Sequence, residues 1–596
     1  MHTTGSRGNI VGGNGKALLA SAIAGLMVIG VAYWWNRRDD NPRPGCATVV
    51  VTASVEKADL MGAVAKRYNA SDRRVNGSCY GITVSAMASG LVESRLAQAS
   101  WDPAWGPAPD AWSPAASTWL QLLRHDRSLH DRKDILPAQA ETVVSTPIVL
   151  AIPEPMAKAL GWPDAPIGWS DLLNLANDAG GWASKGHPEW GMFKLGKTNP
   201  NVSTSGLSAT VGVFVAATGT SSDLTLDTLK DPHVREFVAG VEQSVAHYGD
   251  TALTFLANLQ RADDAGSALG YVGAVAVEEK SVVDYNEGNP TGDLESKGRH
   301  GKPTVPLVAV YPKEGTLNSD NPFAVLRAPW SDAGKQAGAQ DYLAFLREPA
   351  QQEMFTDAGF RTYDGRPGKA VSASEYLRED IGVPTLAPPS PPVLSSVRDT
   401  WGELRKKARI LLVLDVSGSM GQSAGAGKTR LELAQAAAMN GLAQLSDTDE
   451  VGLWVFPDEA QVYWQYLPIE PLGPQRQQMT NRIQQLIPSG GTPLYAVTRK
   501  ASEELRKAAR ADTINAIVVM TDGQNEYPDD TDLDGLVRQL GDLATEGGVR
   551  VFTIAYGADA DLASLERISA ASRAAAYDAT DPLTIDSVFT NVLSNF

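Results

Sequence analysis

The chain has 596 residues, of which 43% are hydrophobic and 20% charged, and its formal net charge at pH 7 is −17. This length predicts several domains, since one domain takes roughly 100–200 residues, and the composition is that of an ordinary globular protein. Binding to a nucleic-acid backbone depends on clustered Lys and Arg side chains, so the acidic balance argues against a nucleic-acid partner.

Residues 17–36 form an apolar segment, with no charged residue from Ala17 to Trp35. A helix of this length nearly spans a hydrocarbon core of about 30 Å. The bulky Trp34 and Trp35 close the segment where a cleavable signal would carry small residues, which indicates an uncleaved signal anchor. We therefore expect residues 1–16 to be cytoplasmic and the bulk of the chain extracytoplasmic, anchored to the cell membrane by a single span. A buried core helix is the alternative, and the flanking positive charges do not decide the orientation.

The two cysteines, Cys46 and Cys79, each stand just before a short apolar, β-rich run. If these runs form adjacent parallel strands, the two thiols lie at neighbouring strand starts, close enough to form a disulfide. A disulfide placed in this way indicates an oxidising compartment. Two unrelated free thiols are the alternative.

Strands and helices alternate between residues 46 and 385. The long β-rich run Val143–Ile152 predicts a strand that crosses between two halves of this region, and Val305–Tyr311 predicts a second crossing. Glu278 and Glu279 follow the apolar run Ala274–Val277 and are predicted to begin a solvated helix, although they could reach the hinge between the halves.

Several short segments of this region stand at strand ends and helix starts: Ala53-Ser54, Met87–Gly90, Pro109–Ser113, Pro147–Leu150, Gly196–Pro200, Ser203–Leu207 and Ala358–Arg361. On these segments, residues 46–385 resemble a bacterial extracellular solute-binding protein of the two-lobed, type II periplasmic kind. The resemblance implies an α/β fold in which two lobes close on a small ligand. Lobe one would comprise 46–145 plus 312–385, and lobe two 146–311.

Four hydroxyl residues stand where predicted helices begin: Ser54, Ser89, Thr204 and Ser205. Helix N-termini present unsatisfied N–H groups and the positive end of the helix dipole. If three such termini converge, they suit an anionic or carbonyl-bearing ligand, and we predict that these four residues line the cleft. The alternative is that they are simple N-caps, for which Ser and Thr are preferred.

A Pro-rich segment, Pro384–Pro392, follows, and such segments favour extended geometry. We predict a linker over residues 386–404 that contains a semi-rigid spacer and the start of a short helix, Ser395–Lys407. Beyond it, strands again alternate with helices, which predicts a mostly parallel, Rossmann-like sheet covered on both faces.

The first strand of this carboxyl-terminal region ends in oxygen-bearing side chains. The branched apolar run Ile410–Leu414 leads directly into Asp415-Val-Ser417-Gly-Ser419. A buried parallel strand that delivers ligands at its carboxyl end has this pattern. Two later strand-to-helix connections add Thr492, in Gly-Gly-Thr-Pro-Leu, and Asp522, in Thr-Asp-Gly.

In type and order these five residues match the metal-ion-dependent adhesion site of the von Willebrand factor type A domain, which residues 405–596 resemble. The resemblance implies a divalent cation, Mg²⁺ or alternatively Mn²⁺ or Ca²⁺, that accepts a carboxylate from a protein partner. Two carboxylates and three hydroxyls supply the hard oxygen ligands that Mg²⁺ prefers.

Enzymatic signatures are weak. The seven histidines include no pair at metal-ligand spacing, and no Gly-x-Ser-x-Gly motif occurs. Gly427-Lys428-Thr429 is similar to the end of a phosphate-binding loop, but Gln422 stands where that motif requires glycine. We therefore expect a membrane-anchored binding protein that is not an enzyme. The alternatives are a solute receptor of a transporter with an accessory docking domain, and an accessory for the assembly of an envelope enzyme.

Overall fold

The computed structural model describes residues 43–219, 224–425, 427–456, 462–546 and 548–596. The predicted signal anchor, residues 17–36, and the segment 1–16 lie outside these ranges. Among the helices of the described ranges, none combines the length and apolar character that a membrane crossing requires.

The region before the linker contains alternating strands and helices of α/β type. In chain order they are β1 Ala47–Ala53, α1 Val55–Ala70, β2 Tyr80–Ala86, α2 Ser89–Leu96, β3 Ala111–Ser113, α3 Ser117–Leu129, β4 Glu141–Thr142, β5 Val144–Pro153, α4 Glu154–Ala159, α5 Trp169–Asn177, β6 Leu195–Thr198, α6 Thr204–Thr218, α7 Pro232–Gln243, β7 Val245–Gly249, α8 Ala252–Asp264, α9 Ala268–Tyr271, β8 Ala274–Glu278, α10 Glu279–Asn286, β9 Leu307–Val310, β10 Asn318–Ser319, β11 Pro322–Val325, α11 Ala333–Leu346, α12 Pro349–Asp357, β12 Arg361–Thr362 and α13 Lys369–Ser372.

The first sheet has the strand order β2-β1-β3-β11-β4, and its strands fall within the ranges predicted for lobe one. Strands β1 and β2 are parallel, with Ala47 opposite Tyr80. The two cysteines precede these strands and form a disulfide, with their Cα atoms 4.9 Å apart. The alternative of two free thiols is therefore not what the structure contains.

The second sheet has the strand order β10-β5-β8-β6-β7, and β9 and β12 also pair with β5. The first residues of β5 pair with β12 and β10, which belong to lobe one because they lie after residue 312. Its later residues, Ile148–Pro153, pair with β8 and β9 of lobe two. Strand β5 thus runs from one lobe into the other. All ten of its residues are buried, which explains why its second half, Pro147–Pro153, is apolar throughout rather than alternating.

Helix α14 spans Pro391–Leu404, so the last two prolines of the Pro-rich segment form its first turn. Proline is tolerated there because its missing N–H would be unpaired anyway. The helix therefore begins at Pro391, four residues before the predicted start at Ser395, and ends at Leu404 rather than Lys407. The helix packs against α3 of lobe one and against α6 and α7 of lobe two, and Arg398 contacts both Glu93 (3.8 Å) and Asn201 (2.9 Å).

The carboxyl-terminal domain, residues 405–596, continues the alternation. Its elements are β13 Lys407–Leu414, β14 Ser423–Gly425, β15 Lys428–Thr429, α15 Arg430–Leu442, β16 Glu450–Val455, β17 Trp464–Pro471, α16 Leu472–Gln484, α17 Leu494–Ala508, β18 Thr513–Thr521, α18 Leu533–Glu546, β19 Arg550–Tyr556, α19 Leu562–Ala571, β20 Ala576–Ala579 and α20 Ile585–Leu593.

The main sheet of this domain has the order β17-β16-β13-β18-β19-β20, and only the edge strand β17 runs antiparallel to its neighbour. With β13 as the first strand, this is the doubly wound order 3-2-1-4-5-6. The central strand β18 is buried along its whole length, as expected when helices cover both faces. The carboxyl ends of β13 and β18 lie side by side, with Leu414 opposite Met520.

A buried carboxylate joins lobe two to α14 and the carboxyl-terminal domain. Glu242 pairs with Lys197 and accepts hydrogen bonds from the Tyr248 hydroxyl (2.6 Å) and the Trp401 indole (3.1 Å). The Tyr248 hydroxyl in turn accepts from the backbone N–H of Lys406, directly before β13 (3.3 Å). Because a buried charge is tolerated only when it is paired and hydrogen-bonded, these partners hold the two regions in one arrangement.

We predict that Lys197→Met lowers the free energy of unfolding by about 3–5 kcal/mol, because Glu242 stays buried without its counter-charge. Urea denaturation of the full chain, followed by tryptophan fluorescence, measures this. The control is Lys313→Met, which removes a half-exposed partner of Asp171 and should cost at most about 1 kcal/mol. Equal effects of the two substitutions would contradict the prediction.

Candidate functional sites

The carboxyl ends of β13 and β18 bring the predicted metal-site residues of two loops together. The backbone N–H of Asp415 donates to the carbonyl of Met520 (3.0 Å), which places Asp415 beside the end of β18. The Ser417 hydroxyl lies 2.9 Å from the Ser419 hydroxyl, and Ser419 donates to Asp522 Oδ1 at 2.7 Å. Asp415 and Asp522 are fully buried.

The loop that carries Thr492 reaches the same edge. The N–H of Gly418 donates to the carbonyl of Gly490 (3.2 Å), and the N–H of Ser489 donates to the carbonyl of Val416. A Cβ at Gly523 would lie 3.5 Å from Thr492 Oγ1. The three loops that carry the five predicted residues are thus in mutual contact.

Arg430, at the start of α15, also belongs to this constellation, although it was not among the residues predicted from the sequence. Its guanidinium donates to Asp522 Oδ2 (2.8 Å) and to Asp559 (2.9 Å). It follows Thr429, whose hydroxyl caps α15 in a capping box with Glu432. The segment that is similar to a phosphate-binding loop therefore ends in a helix cap and delivers an arginine to the site.

Burial sets the electrostatics of Asp415. Desolvation raises the pKa of its carboxyl group to about 6, although hydrogen bonds from Ser417 and Thr521 oppose the rise, and the nearby Asp522 adds to it. The Thr521 hydroxyl donates to Asp415 Oδ2 at 2.6 Å, and the N–H of Ser417 donates to Oδ1 at 2.7 Å. A divalent cation beside this carboxylate would favour its charged form.

The donor set fits a hard divalent cation. In octahedral Mg²⁺ coordination with bonds near 2.0–2.1 Å, neighbouring ligand oxygens lie about 2.9 Å apart. The Ser417–Ser419 and Ser419–Asp522 oxygen pairs are separated by 2.9 and 2.7 Å. Each carboxylate oxygen that accepts one hydrogen bond still has a lone pair for a ligand role.

The hydroxyls predicted to line the cleft meet around one segment, residues 113–119. The N–H of Ser54 donates to the carbonyl of Ser113 (3.0 Å), and Ser89 Oγ accepts from the N–H of Ala115 (3.1 Å). The Trp119 indole donates to Thr204 Oγ1 (2.8 Å).

Ser205 lies one residue further along α6 and contacts the hydroxyls of Thr198 and Ser203, both at 3.0 Å. All four predicted hydroxyls are buried. None of them forms a side-chain bond that caps its helix, so the N-cap alternative does not describe their contacts. The structure therefore gathers three helix starts at the lobe interface and pairs the hydroxyls within the protein.

Two ionisable side chains are buried close to these hydroxyls, Lys57 in lobe one and Glu278 in lobe two. Lys57 of α1 donates to Ser54 Oγ (3.0 Å), the carbonyl of Pro114 (2.9 Å) and Asn321 Oδ1 (2.8 Å). Glu278, at the end of β8, has neither carboxylate oxygen hydrogen-bonded within the described residues. Burial raises the pKa of Glu278 and lowers the pKa of Lys57.

The prediction that Glu278 and Glu279 begin a solvated helix is wrong, because both are buried, at 1% and 0% exposure. Glu279 instead forms a buried ion pair with Arg361 of β12, at 2.8 Å. Both glutamates lie where β5 crosses between the lobes.

The lobes touch through backbone atoms at Gly90. Its N–H donates to the carbonyl of Val202 (2.9 Å), and a Cβ added at Gly90 would lie 2.1 Å from the carbonyl oxygen of Asn201. Only a residue without a side chain permits this approach.

Family models identify both regions. The model for bacterial extracellular solute-binding proteins matches residues 49–361, more than half of the chain, and the model for the von Willebrand factor type A domain matches residues 410–591. The chain therefore belongs to the bacterial extracellular solute-binding proteins and carries a von Willebrand factor type A domain after that region. Both resemblances inferred from the sequence are confirmed. No curated protein matches the chain.

Solved structures similar to this chain fall into the same two groups. The periplasmic binding protein AfuA from Actinobacillus pleuropneumoniae is 12% identical, with a TM-score of 0.38, over 61% of this chain and 99% of its own. A von Willebrand factor type A protein from Catenulispora acidiphila is 19% identical, with a TM-score of 0.28, over 32% of this chain. The match spans 42% of that protein, less than half of its length.

A third similar structure is proximal thread matrix protein 1 from the mussel byssus, with a zinc-occupied metal-ion-dependent adhesion site motif. It is 16% identical, with a TM-score of 0.26, over 31% of this chain and 47% of its own.

We predict that Gly90→Ala separates the two lobes, because the added methyl group collides with backbone atoms that cannot rotate away. Small-angle X-ray scattering should show a larger radius of gyration than in the parent chain. The matched control is Gly62→Ala, where a Cβ meets no atom within 4 Å. An unchanged scattering profile for Gly90→Ala would contradict the role of this contact.

Proposed function

We propose that this chain is a binding protein whose von Willebrand factor type A domain binds a protein partner through a divalent cation. The observation that carries the proposal is the hydrogen-bonded chain of oxygens Ser417–Ser419–Asp522 beside buried Asp415. Asp415, Ser417, Ser419, Thr492 and Asp522 would hold the ion. A bound Mg²⁺, or Mn²⁺ or Ca²⁺ in its place, would accept a carboxylate oxygen from the partner.

The mixture of ligand types supports a binding role. Hydroxyl ligands add oxygens without adding negative charge, so the site retains affinity for an incoming carboxylate. Arg430 adds positive charge beside Asp522, with its own guanidinium 2.8 Å from that carboxylate. This charge-assisted contact holds Asp522 in position, and Asp559 holds the other end of the guanidinium.

The two-lobed region is proposed to bind a small ligand between its lobes. Glu278 supports this, since a buried carboxylate with no hydrogen bond in the described residues is costly unless another group satisfies it. Ser54, Ser89, Thr204 and Ser205 lie around the same interface. The first three hydroxyls each accept one hydrogen bond within the protein, which leaves their O–H groups as donors. A ligand that carries a donor towards Glu278 and acceptors towards these hydroxyls suits the interface.

An extracytoplasmic location, with the predicted segment 17–36 as anchor, is part of the proposal. The disulfide supports an oxidising compartment, since such bonds are rare in the reducing cytosol. A solute receptor of a transporter and an accessory for assembly of an envelope enzyme remain the alternative roles. Metal-mediated binding of a carboxylate on a protein partner is preferred, because the oxygen ligands described above would take part in it directly.

We predict that Mg²⁺ raises the melting temperature of the parent chain and that Asp415→Ala abolishes this rise, because the buried carboxylate supplies much of the charge that holds the ion. Differential scanning fluorimetry with Mg²⁺, Mn²⁺ and Ca²⁺, each against a chelator, measures it. The control Asp578→Ala removes an exposed carboxylate of the same domain. A metal-dependent shift that persists in Asp415→Ala would overturn the assignment.

The partner is expected to be retained on the immobilised chain in Mg²⁺, lost on chelation and lost with Ser419→Ala. The partner's critical residue should be an Asp or Glu whose replacement by the amide abolishes retention. If the partner is retained equally well after chelation and on the Ser419→Ala variant, binding uses another surface.

A further inference from the structure

A cavity lined by basic side chains lies between lobe two and the carboxyl-terminal domain. It has a volume of about 850 Å³, within the range of small-ligand sites. Among the described residues that line it there are six basic side chains and no acidic one: Lys194, Lys406, Arg506, Arg510, Arg550 and Arg573. This lining is unexpected in a chain whose net charge is −17.

Four of these cations lack a counter-charge. In the described part of the chain, salt bridges are absent for Lys194, Lys406, Arg550 and Arg573, whereas Arg510 pairs with Glu450 (2.9 Å) and Asp512 (3.4 Å). Among the described residues, the partners of the two lysine ammonium groups are backbone carbonyls: Lys194 donates to Gly270 (2.9 Å) and Lys406 to Val245 (3.3 Å).

Arg550 carries a buried donor that no described residue satisfies. Its Nη1 makes one long contact, 3.4 Å, to the carbonyl of Ala246, and its Nε is buried with no hydrogen-bond partner in the described residues. An unsatisfied buried donor on a charged group costs more than an ordinary unpaired polar atom. A group that supplies acceptors and negative charge would remove this cost.

The titration behaviour of the cluster agrees with its geometry. Burial, and then repulsion by Arg550, lowers the pKa of Lys406 to about 8, although Asp512 opposes the shift. Burial and the neighbouring arginines Arg573 and Arg550 also lower the pKa of Lys194. These groups disfavour one another's charge in the free protein.

We propose that this cavity binds a small polyphosphate anion, inorganic or carried by an organic molecule, which joins lobe two to the carboxyl-terminal domain. Guanidinium and ammonium groups are the standard partners of phosphate oxygens. The cations come from two regions of the chain: Lys194 from lobe two, and Lys406, Arg550 and Arg573 from the carboxyl-terminal domain. The complete site therefore exists only when the two regions are docked.

The experiment measures the melting temperature of the full chain with inorganic tripolyphosphate, ATP, citrate or NaCl at matched ionic strength. Free Mg²⁺ is held constant because polyphosphates chelate it. Tripolyphosphate or ATP at about 100 times its dissociation constant should raise the melting temperature by about 3 °C or more. A shift with tripolyphosphate indicates that the phosphates suffice, whereas a shift with ATP alone indicates an organic carrier.

The variants Lys194→Gln and Arg550→Gln, one from each region, should each reduce this shift by at least half. Arg567→Gln, which removes an exposed arginine of the same domain paired with Asp534, should leave it unchanged. Without added anion, Arg550→Gln should not lower the melting temperature, because it removes an unpaired repelling charge.

The proposal is overturned if neither polyphosphate acts, if NaCl or citrate produces the same shift, or if the cavity variants respond like Arg567→Gln.

Discussion

The arrangement of the whole molecule depends on the buried carboxylate of Glu242. Its partners come from lobe two, through Lys197 and Tyr248, and from α14, through Trp401. A charge in this position has no access to water, so it persists only while all of its partners stay in place. The solute-binding region and the von Willebrand factor type A domain therefore behave as one packed body. One continuous cluster of buried apolar side chains, which includes Leu207, Trp401 and Leu412, supports the same conclusion.

Much of the architecture could be predicted from the sequence, because local patterns determine it. The apolar run before Asp415 gives a buried parallel strand, and oxygen-bearing residues after such strands must lie at one edge of the sheet. The disulfide could be predicted in the same way, because each cysteine stands just before an apolar run that forms one of two neighbouring parallel strands. The five metal-site residues come close together because the strand order places their loops side by side.

The rest could not be predicted, because it depends on contacts between residues distant in sequence. Arg430 reaches Asp522 only through the packing of α15 against the sheet, and nothing in its local pattern distinguishes it from a surface arginine. Glu278 and Glu279 look like a solvated helix start, yet the crossing of β5 and β12 buries them. The Pro-rich composition hides the start of α14 at Pro391, and the apolar face of that helix, formed by Val393, Val397 and Trp401, packs against both lobes.

The position of α14 has a mechanical consequence for the solute-binding region. The helix lies across both lobes, packed on α3 on one side and on α6 and α7 on the other. A hinge motion that parts the lobes must therefore break one of these contacts, and the hydrogen bond from Trp401 to Glu242 keeps the helix with lobe two. Because the same helix leads directly into the first strand of the adhesion domain, admission of a solute and reorientation of that domain would be a single movement, with α14 as its lever.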